Sequence, residues 1–298
     1  PGNYIKNSVG TGLPGIQLKL EHDGELCLQG PYVIKKYYKD KDNEAFSNGW
    51  FHTGDIFKEL NGNYFIIDRK KDIYKNSRGQ TIAPQKIENL FQDFDSIKSI
   101  FLVGDGKEFN ALLIFPNYNY APIDLHQSGK KELRDFFSSI ILSVNSFLAP
   151  FERIVNYVII PRDFSREKGE LTHKGSFKRN QILKNFKTII DPLYEKNYLS
   201  LQTSSNKIKI PNWLTREIGT VKSNISWNGN TLLISDQSKT LKINWIDDNL
   251  HIGDFLYYNN THLLDLELFI QCPSLWLGNF SFSKFTGESI FRLKESKK

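Results

Sequence analysis

Three consecutive cations, Arg69-Lys70-Lys71, divide this chain into two textures, and that division constrains its fold more than any other feature. Before them the sequence reads as short strands and tight turns. Gly10, Gly12, Pro14 and Gly15 punctuate the start, and Ile16-Gln17-Leu18-Lys19-Leu20 alternates apolar and polar residues as a half-buried strand does. His22-Asp23-Gly24 predicts a turn into a return strand, Glu25-Leu26-Cys27-Leu28. Asn61-Gly62-Asn63 predicts a second hairpin turn leading into Tyr64-Phe65-Ile66-Ile67. After the cations the pattern becomes mixed α/β. A helix is expected from Ala83-Pro84 onward, with Ile87, Leu90, Phe91 and Phe94 at helical spacing. Strands are expected at 97–103 and 111–115 around Gly104-Asp105-Gly106, and at 157–160. Helices are expected over 130–148, with Leu133, Phe136, Phe137, Ile140, Ile141, Val144 and Phe147 on one face, and over 177–194.

The texture changes again near Ser200. Thr203-Ser204-Ser205-Asn206 reads as a linker. Trp227-Asn228-Gly229-Asn230 predicts a hairpin between 224–226 and 231–234, and Leu241-Lys242-Ile243-Asn244-Trp245 alternates. Further strands at 255–258, 263–270 and 275–282 complete an expected small all-β sandwich or barrel. Most of Trp213, Trp227, Trp245 and Trp276 are expected in its core. The fold class is therefore mixed α/β and multidomain: a β-rich piece over 1–70, an α+β domain over 71–198, and an all-β domain over 199–298.

Composition bounds the function. At 298 residues, with 39% hydrophobic and 24% charged residues, the chain suits two or three globular domains. No apolar run approaches the ~18 residues of a membrane-spanning helix, and the first residues show no signal-peptide pattern. Cys27 and Cys272 stand far apart, without a CxxC or a histidine partner in sequence, which argues against a disulfide framework or a zinc site and fits a reducing compartment. The net charge of +6 is scattered apart from short pairs and the Lys297-Lys298 end, and reads as a solvated surface. No helix-turn-helix, zinc-finger or aromatic-basic platform signature points to nucleic acid. The chain opens on Pro1 and contains no Met, so we read it as a piece of a longer protein.

The chemistry concentrates between Gly49 and Glu88. Thr53-Gly54-Asp55 ends a tight turn in a carboxylate suited to accept from paired hydroxyls such as a ribose diol. Arg69 offers a planar donor fork for phosphate or ribose oxygens. Gly79, within Ser77-Arg78-Gly79-Gln80, permits a ligand to approach the backbone closely. Each residue alone also has an ordinary reading as turn or solvated face.

Their order and spacing resemble the adenylate-forming superfamily of acyl-CoA synthetases, luciferases and peptide-synthetase adenylation domains. The run Gly49-Trp50-Phe51-His52-Thr53-Gly54-Asp55, Ile67-Asp68-Arg69-Lys70-Lys71-Asp72, Gly79, Ala83-Pro84 and Lys86-Ile87-Glu88 looks most like the long-chain fatty acid-CoA ligases. The upstream stretch from Ser8 to Lys39 resembles the segment before it in those enzymes. The likeness covers about residues 8–196. It implies that 1–70 is the end of a large adenylating domain, a β-barrel remnant, and that 71–198 is a mobile lid hinged at Lys71. Asp55 and Arg69 would bind nucleotide. Ser77, Arg78 and Gly79 would line the CoA tunnel. Glu88 would support the fold, or serve as a helix-start acid favoured by the dipole. The implied reaction joins a fatty acid to CoA through an acyl-adenylate, using ATP and Mg²⁺. The implied setting is the cytoplasm, with peripheral association on the inner face of a membrane as a further expectation. No metal ligands are assigned to this chain.

Two departures matter. The phosphate loop and adenine motif of this family lie upstream of Pro1, so this piece alone is expected to be inactive and to need the N-terminal portion of the same protein. The family's late lysine motif reads here Leu171-Thr172-His173-Lys174-Gly175-Ser176-Phe177-Lys178-Arg179, with Ser176 at the lysine position. Serine cannot bring a cation to a phosphate. Lys174 is the candidate replacement, Lys178 reads as a surface lysine, His173 is assigned nothing, and His52 is expected to make a structural hydrogen bond. Two alternatives follow: a nucleotide- or acyl-adenylate-binding protein with weak or lost adenylation, and acyl transfer to a carrier protein instead of CoA.

Overall fold

A computed structural model describes residues 5–6, 8–37, 45–125, 127–203 and 205–290. Pro1, the Tyr38-Lys39 end of the upstream stretch and Lys297-Lys298 lie outside the described residues. The chain forms two compact units, Pro1–Lys75 with Thr81–Leu90, and Asn76–Gln80 with Phe91–Lys298.

The first unit is built on an antiparallel sheet. Its strands are β1 (Gln17–Leu20), β2 (Glu25–Gln29), β3 (Phe46–Ser47), the long β4 (Trp50–Leu60) and β5 (Asn63–Arg69). The order is β1-β2-β4-β3, and β5 pairs with the far half of β4. Among the described residues the strand order does not close on itself. The Asn61-Gly62 turn forms as expected: both residues have positive φ, 51° and 76°, the requirement of the tightest hairpins. β6 (Tyr74–Lys75) and β7 (Thr81–Ile82) pair, and α1 (Pro84–Asn89) follows.

α1 is shorter than its apolar spacing predicts. It ends at Asn89, and the bonds Leu90 N to Ile87 O and Phe94 N to Phe91 O are three-residue turns. Leu90 is exposed, so the apparent stripe joins a brief helix to a separate turn. Glu88 is buried near the end of α1, with no acid in its first turn, so the helix-start reading of this acid is corrected. Asp68 takes the cap role instead. Its Oδ2 accepts from Gln85 N at 2.7 Å and its Oδ1 from Arg69 N at 2.7 Å.

In the second unit β8 (Ile97–Val103) and β9 (Asn110–Pro116) pair antiparallel, and β10 (Ile154–Ile159) adds parallel to β9. α2 (Lys130–Asn145) lies between them in sequence and buries Phe137, Ile140, Ile141 and Val144. It stops before Phe147, which is 82% exposed. The last predicted helix is two, α3 (Arg179–Asn185) and α4 (Lys187–Tyr194), broken at Phe186 (φ −102°, ψ 13°). The break lets Ile182, Phe186 and Ile190 all reach the core around Phe101, Leu113 and Phe164.

The same unit continues through β11 (Tyr198–Gln202), β12 (Lys207–Pro211), α5 (Asn212–Ile218), β13 (Ile225–Asn228), β14 (Thr231–Ile234), β15 (Lys239–Ile246), β16 (Asn249–Ile252), β17 (Phe255–Tyr258), β18 (Leu263–Asp265), α6 (Leu266–Gln271), α7 (Pro273–Trp276) and α8 (Phe280–Thr286). β13 to β17 form a consecutive antiparallel meander, and β11-β12-β18 a second sheet. Two expectations are corrected here. Thr203 and Asn206 are a hairpin turn, with Thr203 N bonded to Asn206 O at 2.8 Å, so the linker reading fails. The all-β reading fails too, because 266–271, 273–276 and 280–286 are helical. Leu266, Phe269 and Ile270 recur at helical spacing into the core, and Asp265 and Asn279 cap α6 and α8 through bonds from Glu267 N and Phe282 N. Trp213 and Trp276 are buried, while Trp227 and Trp245 pack half-buried against the core and meet each other edge to face, 6.2 Å between centroids.

Candidate functional site

The first unit brings two predicted residues together. Asp55 and Arg69 are register partners on β4 and β5, and Arg69 Nε lies 3.5 Å from Asp55 Oδ1. A bulge sets this up. Glu25 faces Ile56 and Cys27 faces His52, so one two-residue step on β2 spans four residues of β4. Thr53, Gly54 and Asp55 thus stand opposite the single Leu26, a surplus of two residues, and such bulges re-aim side chains out of the ladder. Gly54 has φ +72° with open space around it, so its glycine requirement is conformational. Burial raises the Asp55 carboxyl above the ordinary carboxylate range, with Arg69 and Lys71 pulling it back.

Glu25 is the residue that sequence reasoning missed. It is 5% exposed. Its Oε1 accepts from Gly54 N at 3.0 Å, and its Oε2 from Lys70 Nζ at 2.9 Å. It therefore ties the residue before Asp55 to the residue after Arg69. Burial would raise its carboxyl, but bonds from Lys70, His52 and Gly54 N hold it below the usual value. The sequence offered only an acidic residue in a strand of apolar neighbours as a signal. Lys71 sits in the turn that follows, where Asp72 N and Ile73 N both bond Arg69 O at 2.9 and 3.2 Å.

The spacing argument against a Cys–His pair is corrected by strand pairing. Cys27 Sγ lies 3.3 Å from His52 Nδ1, which is also 3.3 Å from Glu25 Oε2. His52 thus makes the structural contact expected of it. Among the described residues, these three are the metal-type donors that converge within 4.8 Å. They do not fit Mg²⁺. A thiol and an imidazole are poor ligands for that hard ion. Both carboxylate oxygens already bond to Gly54 and Lys70, and burial with the nearby Glu25 charge raises the Cys27 thiol, favouring its neutral form.

In the second unit Ser77, Arg78 and Gly79 stand exposed on a loop closed by buried Asn76. Asn76 Oδ1 accepts from Arg78 N and Gln80 N, each at 3.0 Å, and Gly79 takes φ +79°. Ser77 N bonds Lys107 O at 2.9 Å, fixing the loop to the β8–β9 turn. Lys174 is exposed at the tip of another closed turn, where Thr172 N bonds Ser176 O at 2.9 Å and Ser176 N bonds Thr172 Oγ1 at 3.1 Å. Lys178, also exposed, sits at the start of α3. The base of this turn is anchored by Glu170, which is fully buried. Its carboxylate takes both prongs of Arg162 at 2.6 and 2.8 Å, plus Ser165 N and Asn185 Nδ2 at 2.8 Å. Against the burial that would raise it, these bonds pull Glu170 down to about 2.

Residues 71–198 match the family model described as AMP-binding enzyme C-terminal domain. The chain is 35% identical over 222 residues to long-chain-fatty-acid--CoA ligase 6 of Mus musculus, a match covering 65% of the chain and 32% of the relative. It is 34% identical over 222 residues to long-chain-fatty-acid--CoA ligase 1 of Homo sapiens, with the same coverage of each. The chain thus spans about a third of the length of the curated relatives it matches. Among solved structures it resembles the A domain of a carboxylic acid reductase from Segniliparus rugosus in complex with AMP and a carboxylic acid. That match has TM-score 0.50 and 20% identity, covers 58% of this chain and 28% of that one, and shows the shared fold.

Proposed function

We propose that this chain is the C-terminal portion of an AMP-forming acyl-CoA ligase acting on long-chain fatty acids. The observation that carries the reading is the Asp55–Arg69 pair, two motif residues that a bulge places side by side. Asp55 would accept from the ribose hydroxyls of ATP, and Arg69 would donate to ribose or phosphate oxygens. A fatty acid carboxylate would attack the α-phosphorus, expelling pyrophosphate and leaving acyl-adenylate. The CoA thiol would then attack the acyl carbon and expel AMP. Lys71 would be the hinge between residues 1–70 and the lid of residues 71–198. The Ser77–Gly79 loop would line the thiol channel, and Lys174 would bring the cation that Ser176 cannot. Mg²⁺ would supply charge neutralisation at the ATP phosphates, held by groups outside this chain.

Support comes from the family match of 71–198 and from the named relatives. The test is pyrophosphate release by the complete protein with palmitate, ATP and Mg²⁺, compared with Asp55→Ala. Release that is absent in the native protein, or unaltered by the substitution, ends the reading. Ser176 favours one alternative, a binder of nucleotide or acyl-adenylate with slow turnover, which the same assay separates through tight ATP binding without release. Acyl transfer to a carrier protein would show as thioester formation on that protein in place of CoA. The reading also places the enzyme in the cytoplasm or peripherally on a membrane's inner face, and cell fractionation tests this.

A further inference from the structure

Residues 198–290 meet 91–197 through two arginines that cross in opposite directions. Arg153, just before β10, sends Nη1 to the carbonyls of Arg216 and Glu217 at 3.2 and 2.8 Å. It thereby caps the carbonyl end of α5, where Gly219 turns left-handed at φ +85°. Arg216, 2% exposed, sends its own Nη1 back to the Glu108 carbonyl at 3.1 Å. Its Nε and Nη2 rest on Glu217 Oε1 at 3.3 and 3.0 Å. The contact continues on either side. Buried Asn212 donates Nδ2 to the Lys196 carbonyl at 3.0 Å, and Lys222 Nζ lies over the Phe109 ring at 4.8 Å. Phe109 in turn stacks on Tyr194.

Glu108 adjoins Lys107, whose carbonyl receives Ser77 N. A buried guanidinium from the C-terminal segment therefore grips the short turn to which the 76–80 loop is tied. We propose that the C-terminal segment is a brace for that loop, with Arg216 as the positioning residue acting through Glu108 and Lys107. The catalytic consequence rests on the reading of Ser77–Gly79 as part of the thiol channel; the brace itself does not. Arg216 touches no substrate in this account. It fixes the backbone against which the pantetheine arm would slide, so it serves the thioester-forming half of the reaction and leaves adenylation alone.

Hydrogen exchange on the 298-residue chain tests the brace. Arg216→Met keeps the length of the side chain and removes its donors. Loss of a charge-assisted bond worth about 1.4 kcal/mol should speed exchange of the Ser77–Gln80 amides roughly tenfold. Arg216→Lys, which keeps the charge and a donor, should recover at least part of that protection. The protection of β14–β16 shows whether the segment stays folded. Exchange at 77–80 that is unchanged in Arg216→Met, with the segment folded or unfolded, overturns the brace. Acceleration that Arg216→Lys does not relieve at all assigns the effect to lost folding and overturns the role of Arg216. In the complete protein, Arg216→Met should slow thioester formation from acyl-adenylate about tenfold with pyrophosphate release unchanged. A braced loop in the exchange experiment with no effect on thioester formation leaves the brace standing and refutes the channel reading instead.

Discussion

Asp55 and Arg69 face each other across β4 and β5 because Glu25 holds the residue next to each of them. The pair is thus a product of a buried third carboxylate, and its chemistry can be separated from its stability.

Asp55→Asn should leave the folded chain as stable or slightly more stable at neutral pH. Burial raises the Asp55 carboxyl, so the folded state binds its proton more tightly than the unfolded chain. That contribution is present below the ordinary carboxylate range and is lost as pH rises through the raised value. An uncharged isostere escapes the loss. Nucleotide affinity of the complete protein should fall about ten- to hundredfold with the charged acceptor gone. Thermal melts and AMP titration check both parts. A destabilised variant that still binds AMP normally would contradict the assignment.

Glu25→Gln should cost about 1–3 kcal/mol in urea unfolding, because Gly54 N and Lys70 lose the charge of a buried partner. Amide exchange at 53–55 should quicken with it. A neutral effect on both would mean that the Thr53–Asp55 bulge holds without the clamp.

Glu170 predicts an acid limb. Its folded value of about 2 lies below the ordinary 4.5, so its stabilisation is fully present above pH 4.5 and is lost as pH falls towards 2. The loss should be roughly 3 kcal/mol. Glu170→Gln should remove that dependence and lower stability at pH 7 by a similar amount. Chemical denaturation at pH 7, 4 and 2.5 would show it, and parallel curves for both proteins would refute it.

The lysine question has a direct answer in kinetics. In the complete protein, Lys174→Ala should reduce adenylation about a hundredfold or more, as loss of a transition-state charge partner does, while Lys178→Ala should change it little. Ser176→Lys should rescue Lys174→Ala. Normal pyrophosphate release by Lys174→Ala removes this residue from the mechanism.

Local patterning revealed most strands and the motif residues themselves. Gly62 and the Trp227–Asn230 signal marked their hairpins because tight turns need particular backbone angles. Of the strands expected at 263–270 and 275–282 only Leu263–Asp265 forms, because short apolar runs fit a strand as well as a helix, and the caps Asp265 and Asn279 decide between them. Phe186 hid a helix break inside continuous apolar spacing. The Glu25–Cys27–His52 cluster and the Arg153–Arg216 exchange were beyond sequence reading, since each depends on tertiary pairing between distant positions.

The hairpin turn at Thr203 and Asn206 bears on where this protein can be cut. β11 pairs with β12 at five successive positions, from Tyr198–Pro211 to Gln202–Lys207. Trimming at that turn would strand β11 as a bare sheet margin, an invitation to self-association. A shortened version meant to stay soluble should end before Tyr198, so the useful scissile point lies upstream of the serine-rich stretch that looked like a tether.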